Sequence, residues 1–423
     1  MTQMNKNFQN LEEFLDSSLS LCHSVTLDLT AVYDFNKIDQ TVYAQAKEIC
    51  SHKNNSILQA LEVQQQYDIR NFQEDQSIIG SSLSNLVNLQ NLKILLSYNE
   101  IEDEGISILC STLYKCTNLQ KLELFLEKNN IGQKGISSLD KCKNLKILNL
   151  QLARNNIGQQ GIQSLSSCLE NSINLEILTL QLTQNDITKE GGLLLGQSLA
   201  KLINLKHLAL NLNFNTNICD DENYDDGSDI FTAIQEFINL QIFELRLIQN
   251  KIDDVVALHL GTALKQQINL KNLNMSLKGN QISNEGALSL LNNLAGGSKS
   301  LSCLQLNLGG NLINDDGVSA LGVPISSMNL IILKLNFEPI VTNAAGLISF
   351  LVNCPNISNI ALTLSFCSMG DYELISLSST LEKLINLENC TLNLQQNPDF
   401  NEYSRTSRKI RKMKKLIYMS LEF

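Results

Sequence analysis

The stretch N-L-E-I-L-T-L-Q-L-T-Q-N-D-I-T-K-E-G, Asn174 to Gly191, decides how this chain folds. Leu178, Leu180 and Leu182 alternate with Thr179 and Gln181, the period of a strand with one buried face. The preceding copy reads the same way. Leu148, Leu150 and Leu152 alternate with Asn149 and Gln151, and Ile157 turns inward. Gly161 then opens a segment with Ile162, Leu165, Cys168 and Leu169 at helical spacing. From Asn88 onward the pattern N-L-x-x-L-x-L-x-L-x-x-N-x-I-x-x-x-G-x-x-x-L recurs. Its second Asn serves as a marker, at Asn99, Asn129, Asn155, Asn185, Asn215, Asn250, Asn280 and Asn311. Three looser copies follow, with Ile340, Cys367 and Asn397 at the marker position. Successive markers lie 30, 26, 30, 30, 35, 30, 31, 29, 27 and 30 residues apart, too regular for coincidence. Two degenerate copies precede them, around Val25-Leu27-Leu29 with Asn36 and around Leu61-Val63 with Asp68.

Each unit is thus one strand, one loop and one helix, and it can bury its Leu face only against its neighbours. Strands of a parallel sheet stack about 4.8 Å apart, whereas helices need about 8–10 Å. The helix side must splay, which places strands on a concave wall. Length here counts units rather than domains. The expected organisation is an N-terminal cap over 1–87 with one or two degenerate repeats, a solenoid of about eleven units over 88–400, and a basic tail or capping helix over 401–423. A stacked core of this kind uses Leu at nearly every buried strand position, which suits a composition with 43% apolar residues, 5% aromatics and no Trp.

The residues quoted above resemble the leucine-rich repeat superfamily, with its signature L-x-x-L-x-L-x-x-N-x-L. The long step and the G-x-x-x-L helix segment are similar to the ribonuclease-inhibitor type. The chain also resembles Asn/Gln-rich repeat proteins of ciliated protists. The resemblance covers Asn88 to Asn397 and implies an α/β horseshoe, with parallel strands inside and helices outside. It also implies that the marker asparagines form a ladder, each amide bonding backbone groups of adjoining loops. One departure is consistent: an additional L-x pair precedes the marker, as in Leu122-Leu124-Leu126 before Asn129, and it lengthens each strand by about 7 Å. The 26-residue step from Asn129 to Asn155 lacks four residues between Gly135 and Asn144, about one helical turn. The 35-residue step from Asn215 to Asn250 carries Asp220, Asp221, Glu222, Asp225, Asp226 and Asp229.

Charge and motifs narrow the function. A net charge of −11 argues against a body that binds nucleic acid, and no apolar run approaches the ~18 residues of a membrane span. The polar, acidic start from Met1 to Asp16 lacks the pattern of a signal peptide, so the expected setting is the cytoplasm, on the cytoskeleton or in a cilium. The 11 cysteines show no metal-like spacing and read as reduced packing residues. Gly296-Gly297-Ser298-Lys299-Ser300 has the wrong order for a phosphate loop, and Asp34-Phe35 and Asp399-Phe400 are followed by Asn rather than Gly. The acidic insertion misses the calcium-loop positions, with Gly227 one place late and Thr232 where Glu belongs. No enzyme activity, cofactor or metal is therefore expected, and the insertion reads as a hydrated loop.

What remains is a non-enzymatic protein-interaction scaffold, a structural or adaptor subunit of a larger intracellular complex. Interface anchors favour aromatics and Arg, which selects Phe125, Arg154, Phe214 and Arg246 on a wall that is otherwise polar. In the tail, Arg405, Arg408, Lys409, Arg411, Lys412, Lys414 and Lys415 add +7 within eleven residues, leaving −18 on the rest. Ile410, Met413, Leu416 and Ile417 at helical spacing suit a cap. An acidic polymer, an import receptor or an anionic membrane are the docking alternatives. Two other readings follow from the resemblance: an activator of the nuclear-transport GTPase, with Arg154 or Arg246 contributing, and a ribonuclease-inhibitor-like binder.

Overall fold

The computed structural model describes three strands before residue 66, then residues 90–215, 218, 230–338, 351–397 and 418–422. Positions 100, 115, 142–143, 352–353, 355, 366, 368–370 and 396 within those ranges are excepted. The chain divides into two compact units, Met1–Leu205 and Lys206–Phe423.

In the first unit, strands β1 (Met4–Phe8), β2 (Cys22–Leu29), β3 (Ala60–Gln65), β4 (Asn91–Leu95), β5 (Lys121–Phe125), β6 (Ile147–Gln151) and β7 (Ile177–Gln181) pair in chain order, every pair parallel. Register follows the motif: Leu122 lies beside Leu92 and Leu148, and Leu148 beside Leu178. Between strands run α1 (Glu102–Leu113), α2 (Gln133–Ser137) with a single 3-10 turn (Ser138–Lys141), α3 (Gly158–Glu170) and α4 (Lys189–Ala200). The short α2 is where the 26-residue step falls, beside a 13-residue α3. The core is the Leu layer between strands and helices, with Leu122, Leu124, Leu126, Ile131 and Ile136 fully buried in one repeat.

The second unit repeats the plan. Strands β8 (His207–Asn211), β9 (Ile242–Arg246), β10 (Asn272–Ser276), β11 (Cys303–Asn307), β12 (Ile332–Asn336), β13 (Asn359–Thr363), β14 (Asn389–Asn393) and β15 (Tyr418–Glu422) pair in parallel, in order. The helices are α5 (Ile230–Ile234), α6 (Asp254–Lys265), α7 (Asn284–Gly297), α8 (Asp315–Ala320), α9 (Gly322–Ser327) and α10 (Asp371–Leu381). The last described segment, β15, pairs with β14; Ile410, Met413, Leu416 and Ile417, the basis for a capping helix, lie outside the described residues. The basic residues 405–415 and the acidic residues 220–229 lie outside the described residues, as does Ile340.

Neighbouring repeats are joined at two seams. At the inner one, the side chain of each marker reaches back to the repeat before it. Asn129 Oδ1 accepts the N–H of Asn99 at 2.8 Å, while its Nδ2 donates to Leu96 O at 2.9 Å. Asn155 accepts from Asn129 N–H and Ile131 N–H at 2.9 and 3.0 Å, and it donates to Leu126 O and Leu152 O, both at 2.9 Å. Asn185 accepts from the Asn155 N–H at 3.1 Å and donates to Leu152 O at 2.9 Å. In the second unit, Asn250 takes the Asn215 N–H and Asn280 the Asn250 N–H, each at 2.9 Å, and Asn311 takes the Ile282 N–H at 3.1 Å. Asn397 takes the N–H of Cys367, which stands at a marker position with no amide of its own.

The outer seam lies at the helix starts and reaches forward. Asp103 on α1 accepts the Gly132 N–H at 2.7 Å, Asp254 on α6 accepts the Ser283 N–H at 2.7 Å, and Asn284 on α7 accepts the Asn314 N–H at 3.0 Å. Gly132, Ser283 and Asn314 are the N-caps of α2, α7 and α8, so each bond satisfies a backbone donor at a helix entrance. This seam explains the motif glycine at Gly135, Gly286 and Gly317. A methyl group at Gly286 would sit 2.1 Å from Asp254 Oδ1 and 2.8 Å from its Cα, and one at Gly317 would sit 2.0 Å from Asn284 Oδ1. Only hydrogen leaves room for the neighbour's carboxylate or amide.

Candidate interaction surface

Alternation gives every strand two faces. In β5, Leu122 and Leu124 are buried while Lys121, Glu123 and Phe125 stay half-exposed on the open face, and the same pattern holds for β6 and β7. In the second unit β10, β11, β13 and β14 repeat it, with polar residues such as Asn274, Gln305, Asn307 and Thr391 outward. Asn side chains at the strand ends turn the chain out of the sheet: Asn211, Asn307, Asn336 and Asn393 each accept the N–H two residues on, at 2.9–3.1 Å.

Charged and aromatic groups on this face pair locally. Lys93 Nζ lies 5.3 Å from the Phe125 ring centre, and Lys121 is ion-paired with Glu123. In the second unit His207 Nε2 is 3.3 Å from Glu244 Oε1, and the other carboxylate oxygen accepts from Asn274 Nδ2 at 3.3 Å. Arg246 ends β9 with its side chain exposed. Phe125 and Arg154 therefore stand one repeat apart in the first unit, and Phe214 and Arg246 occupy adjoining repeats of the second.

Sequence reading missed what Arg154 and Phe214 share. Each immediately precedes a marker asparagine, at a position whose backbone is left-handed throughout. Tyr98 has φ +67°, Lys128 +53°, Arg154 +57° and Gln184 +54° in the first unit. Phe214 (+58°), Gln249 (+54°), Gly279 (+70°) and Gly310 (+64°) occupy it in the second. A side chain with a Cβ costs about 1–2 kcal/mol in this conformation, which glycine adopts freely. Six of these eight positions nevertheless carry a long side chain, each of them exposed. The available signal was in the sequence: glycine and large residues share one column of the repeat.

Two further features went unread. The first Asn of the motif also joins repeats, since Asn204 Nδ2 donates to Ile173 O at 3.0 Å and Asn269 Nδ2 to Ile238 O at 2.9 Å. The isoleucines preceding it face water, with Ile203 57% and Ile268 64% exposed.

The described cysteines are thiols, and burial pushes the Cys168 and Cys390 thiols up to about 12 and that of Cys354 to about 11; at Cys168 the charge of Asp140 adds to this. They stay protonated at neutral pH and act as small apolar groups. Only Cys303 reaches the open face, half-buried beside β12, with burial raising its pKa and Lys334 opposing. Among the described residues no group of His, Cys, Asp and Glu is placed to hold a metal, and no helix is long and apolar enough to cross a membrane.

Comparison with known proteins matches three segments, 88–110, 176–196 and 300–322, to the family model described as leucine-rich repeat. No curated protein matches the chain. Among solved structures it is similar to an internalin (inlF) of Listeria monocytogenes at 24% identity, covering 86% of this chain and 80% of that one with a TM-score of 0.48. It is also similar to the protein in a TLR13–ssRNA13 complex, at 16% identity and a TM-score of 0.45, covering 95% of this chain and 55% of that one.

Proposed function

We propose that this chain, a leucine-rich repeat protein, is a non-enzymatic protein-interaction scaffold: an adaptor or structural subunit of a larger intracellular assembly, in a cytoskeletal or ciliary setting. The observation that carries the reading is the open face. Strand after strand in each unit buries its leucines and leaves the alternate row to solvent, giving each unit a polar wall of its own built by repetition. Such a wall offers hydrogen-bonding side chains in register to an extended or helical partner. The aromatic and arginine anchors, Phe125 and Arg154 in one unit and Phe214 and Arg246 in the other, are the residues expected to dominate the contacts that each unit makes. The Asn- and Gln-rich composition supports the cytoskeletal or ciliary setting through the resemblance noted above. The basic segment 405–415 is assigned to an acidic partner surface.

Affinity purification of the tagged full chain followed by mass spectrometry tests this reading. Stoichiometric co-purifying proteins are expected, and purification of the chain alone at native concentration contradicts it. Deleting 404–423 in parallel separates docking from capping: docking predicts lost, salt-sensitive binding with an unchanged melting temperature, and capping predicts a lower one. An assay of stimulated GTP hydrolysis should read zero, because Arg154 and Arg246 act here as contact residues.

A further inference from the structure

We infer that the strand-end edge of the first unit, carried by Tyr98, Lys128 and Arg154, docks an acidic, extended segment of a partner protein. This rests on the interaction reading and names the chemistry of one of its surfaces. Three observations carry it.

The first is conformational. The residue before each marker must have positive φ, and glycine meets that need at Gly279 and Gly310 in the second unit. In the first unit the same position holds Tyr, Lys, Arg and Gln. Backbone geometry alone favours glycine there, so these exposed side chains are retained against a local preference.

The second is electrostatic. Lys128 Nζ rests 5.6 Å from the Tyr98 ring centre, and among the described residues neither it nor Arg154 has a carboxylate partner. Arg154 donates from Nε to Gln184 Oε1 at 2.7 Å, which fixes the guanidinium plane and leaves both terminal amino groups unbonded. In the same unit Lys121 is paired with Glu123 and Lys201 with Glu170, whereas Lys134 and Lys146 are exposed cations away from this edge. In a chain of net charge −11, two adjacent unpaired cations form an anion-seeking point.

The third is spacing. Tyr98, Lys128 and Arg154 belong to consecutive repeats whose strands pair in register. At about 4.8 Å per strand they span roughly 10 Å, the reach of about three extended residues. An aromatic ring and two cations in that length suit carboxylates and their flanking methylenes. The acidic body disfavours the continuous charge of a nucleic acid.

The test is fluorescence anisotropy of the full chain with labelled hexaglutamate, with hexaglutamine and oligo-dT as the other arms. The K128G/R154G variant is compared with K134Q/K146Q, which removes two exposed cations away from this edge. In all of these proteins the seven basic residues of 405–415 are replaced by Gln, so that hexaglutamate bound by the tail does not mask the edge. K128G/R154G should bind hexaglutamate about ten-fold more weakly with an unlowered melting temperature, and K134Q/K146Q should stay within about two-fold of the chain that carries the tail replacements alone. If the glycine variant melts lower, K128Q/R154Q takes its place. Equal losses in both pairs, full retention in K128G/R154G, or tighter binding of oligo-dT overturns the inference. A chain that captures its partners equally well with K128G/R154G refutes the edge and spares the scaffold reading. A chain that captures none refutes the scaffold reading, while the peptide titration still decides the edge.

Discussion

The inner and outer seams join the same repeats with the same kind of bond, a side-chain oxygen taking a backbone N–H of the neighbour, in opposite surroundings. Inner-seam markers from Asn99 to Asn280 are almost fully buried, from 0% exposed at Asn99, Asn129, Asn185 and Asn250 to 6% at Asn280, while Asn311 and Asn397 are half-buried. Asp103, Asp254 and Asn284 of the outer seam are half-buried. Burial dictates chemistry. A group closed off from water between two repeats must both donate and accept, and it must be neutral, which among short side chains selects Asn. At the outer seam water can complete the shell, so a charged Asp serves as well as an Asn, and the requirement passes to the glycine that clears the approach.

The largest effect should come from breaking the inner seam. Asn155→Ala removes the partner of two N–H groups, of Asn129 and Ile131, and of the Leu126 carbonyl, while Leu152 O loses one of two donors and keeps Asn185 Nδ2. Unsatisfied buried groups cost about 1–3 kcal/mol each and do not add fully, so a loss of about 3 kcal/mol is expected in urea unfolding. An unchanged unfolding curve would remove the ladder role from the marker.

The inner seam was legible because burial enforces it. The same amide recurs at a near-constant step from Asn99 to Asn311, and alternating leucines set the strand beside it. The outer seam was half legible. Gly135, Gly286 and Gly317 stand out in the repeat, but their partner varies between Asp and Asn and lies one repeat away, so no local pattern links them. The binding edge was barely legible. Arg154 and Phe214 were selected for residue type alone, whereas what unites them is a positive φ, signalled in the sequence only by Gly279 and Gly310 in the same column of the repeat.

Gly286→Ala probes the outer seam from its other side. The added methyl meets Asp254 Oδ1 and Cα, and overpacking of that kind costs about 1–3 kcal/mol, offset by about 1 kcal/mol of helix propensity. A net loss of about 1–2 kcal/mol is expected. Gly296→Ala in the same helix is the control. Its methyl comes no nearer than 3.8 Å to Lys265 Cε, so the propensity gain should appear unopposed. Equal outcomes for the two would show that the motif glycine serves propensity or entropy rather than clearance.

Asp254→Ala should cost less, about 1 kcal/mol. It removes a carboxylate that accepts from the Ser283 N–H at 2.7 Å and from Ser283 Oγ at 2.5 Å in a region water can reach. Combining it with Gly286→Ala sharpens the comparison further. The carboxylate supplies two of the three Asp254 atoms the methyl meets, so the double variant should lose less than the two single losses together. Strict additivity would place the clash wholly on the Asp254 backbone.

The smallest effect is expected where the inner seam meets solvent. Arg154→Gly relieves about 1–2 kcal/mol of left-handed strain, returns about 0.4–1 kcal/mol through a more flexible unfolded chain, and gives up one exposed bond to Gln184. These contributions nearly cancel, so stability should stay within about 0.5 kcal/mol of the unaltered chain. Asn155, the next residue, should cost several times that. Two adjacent positions would then divide cleanly, one holding the repeats together and the other free to vary for the sake of what binds. A loss at Arg154 as large as that at Asn155 would mean that the edge belongs to the seam, and that its side chains are there for stability.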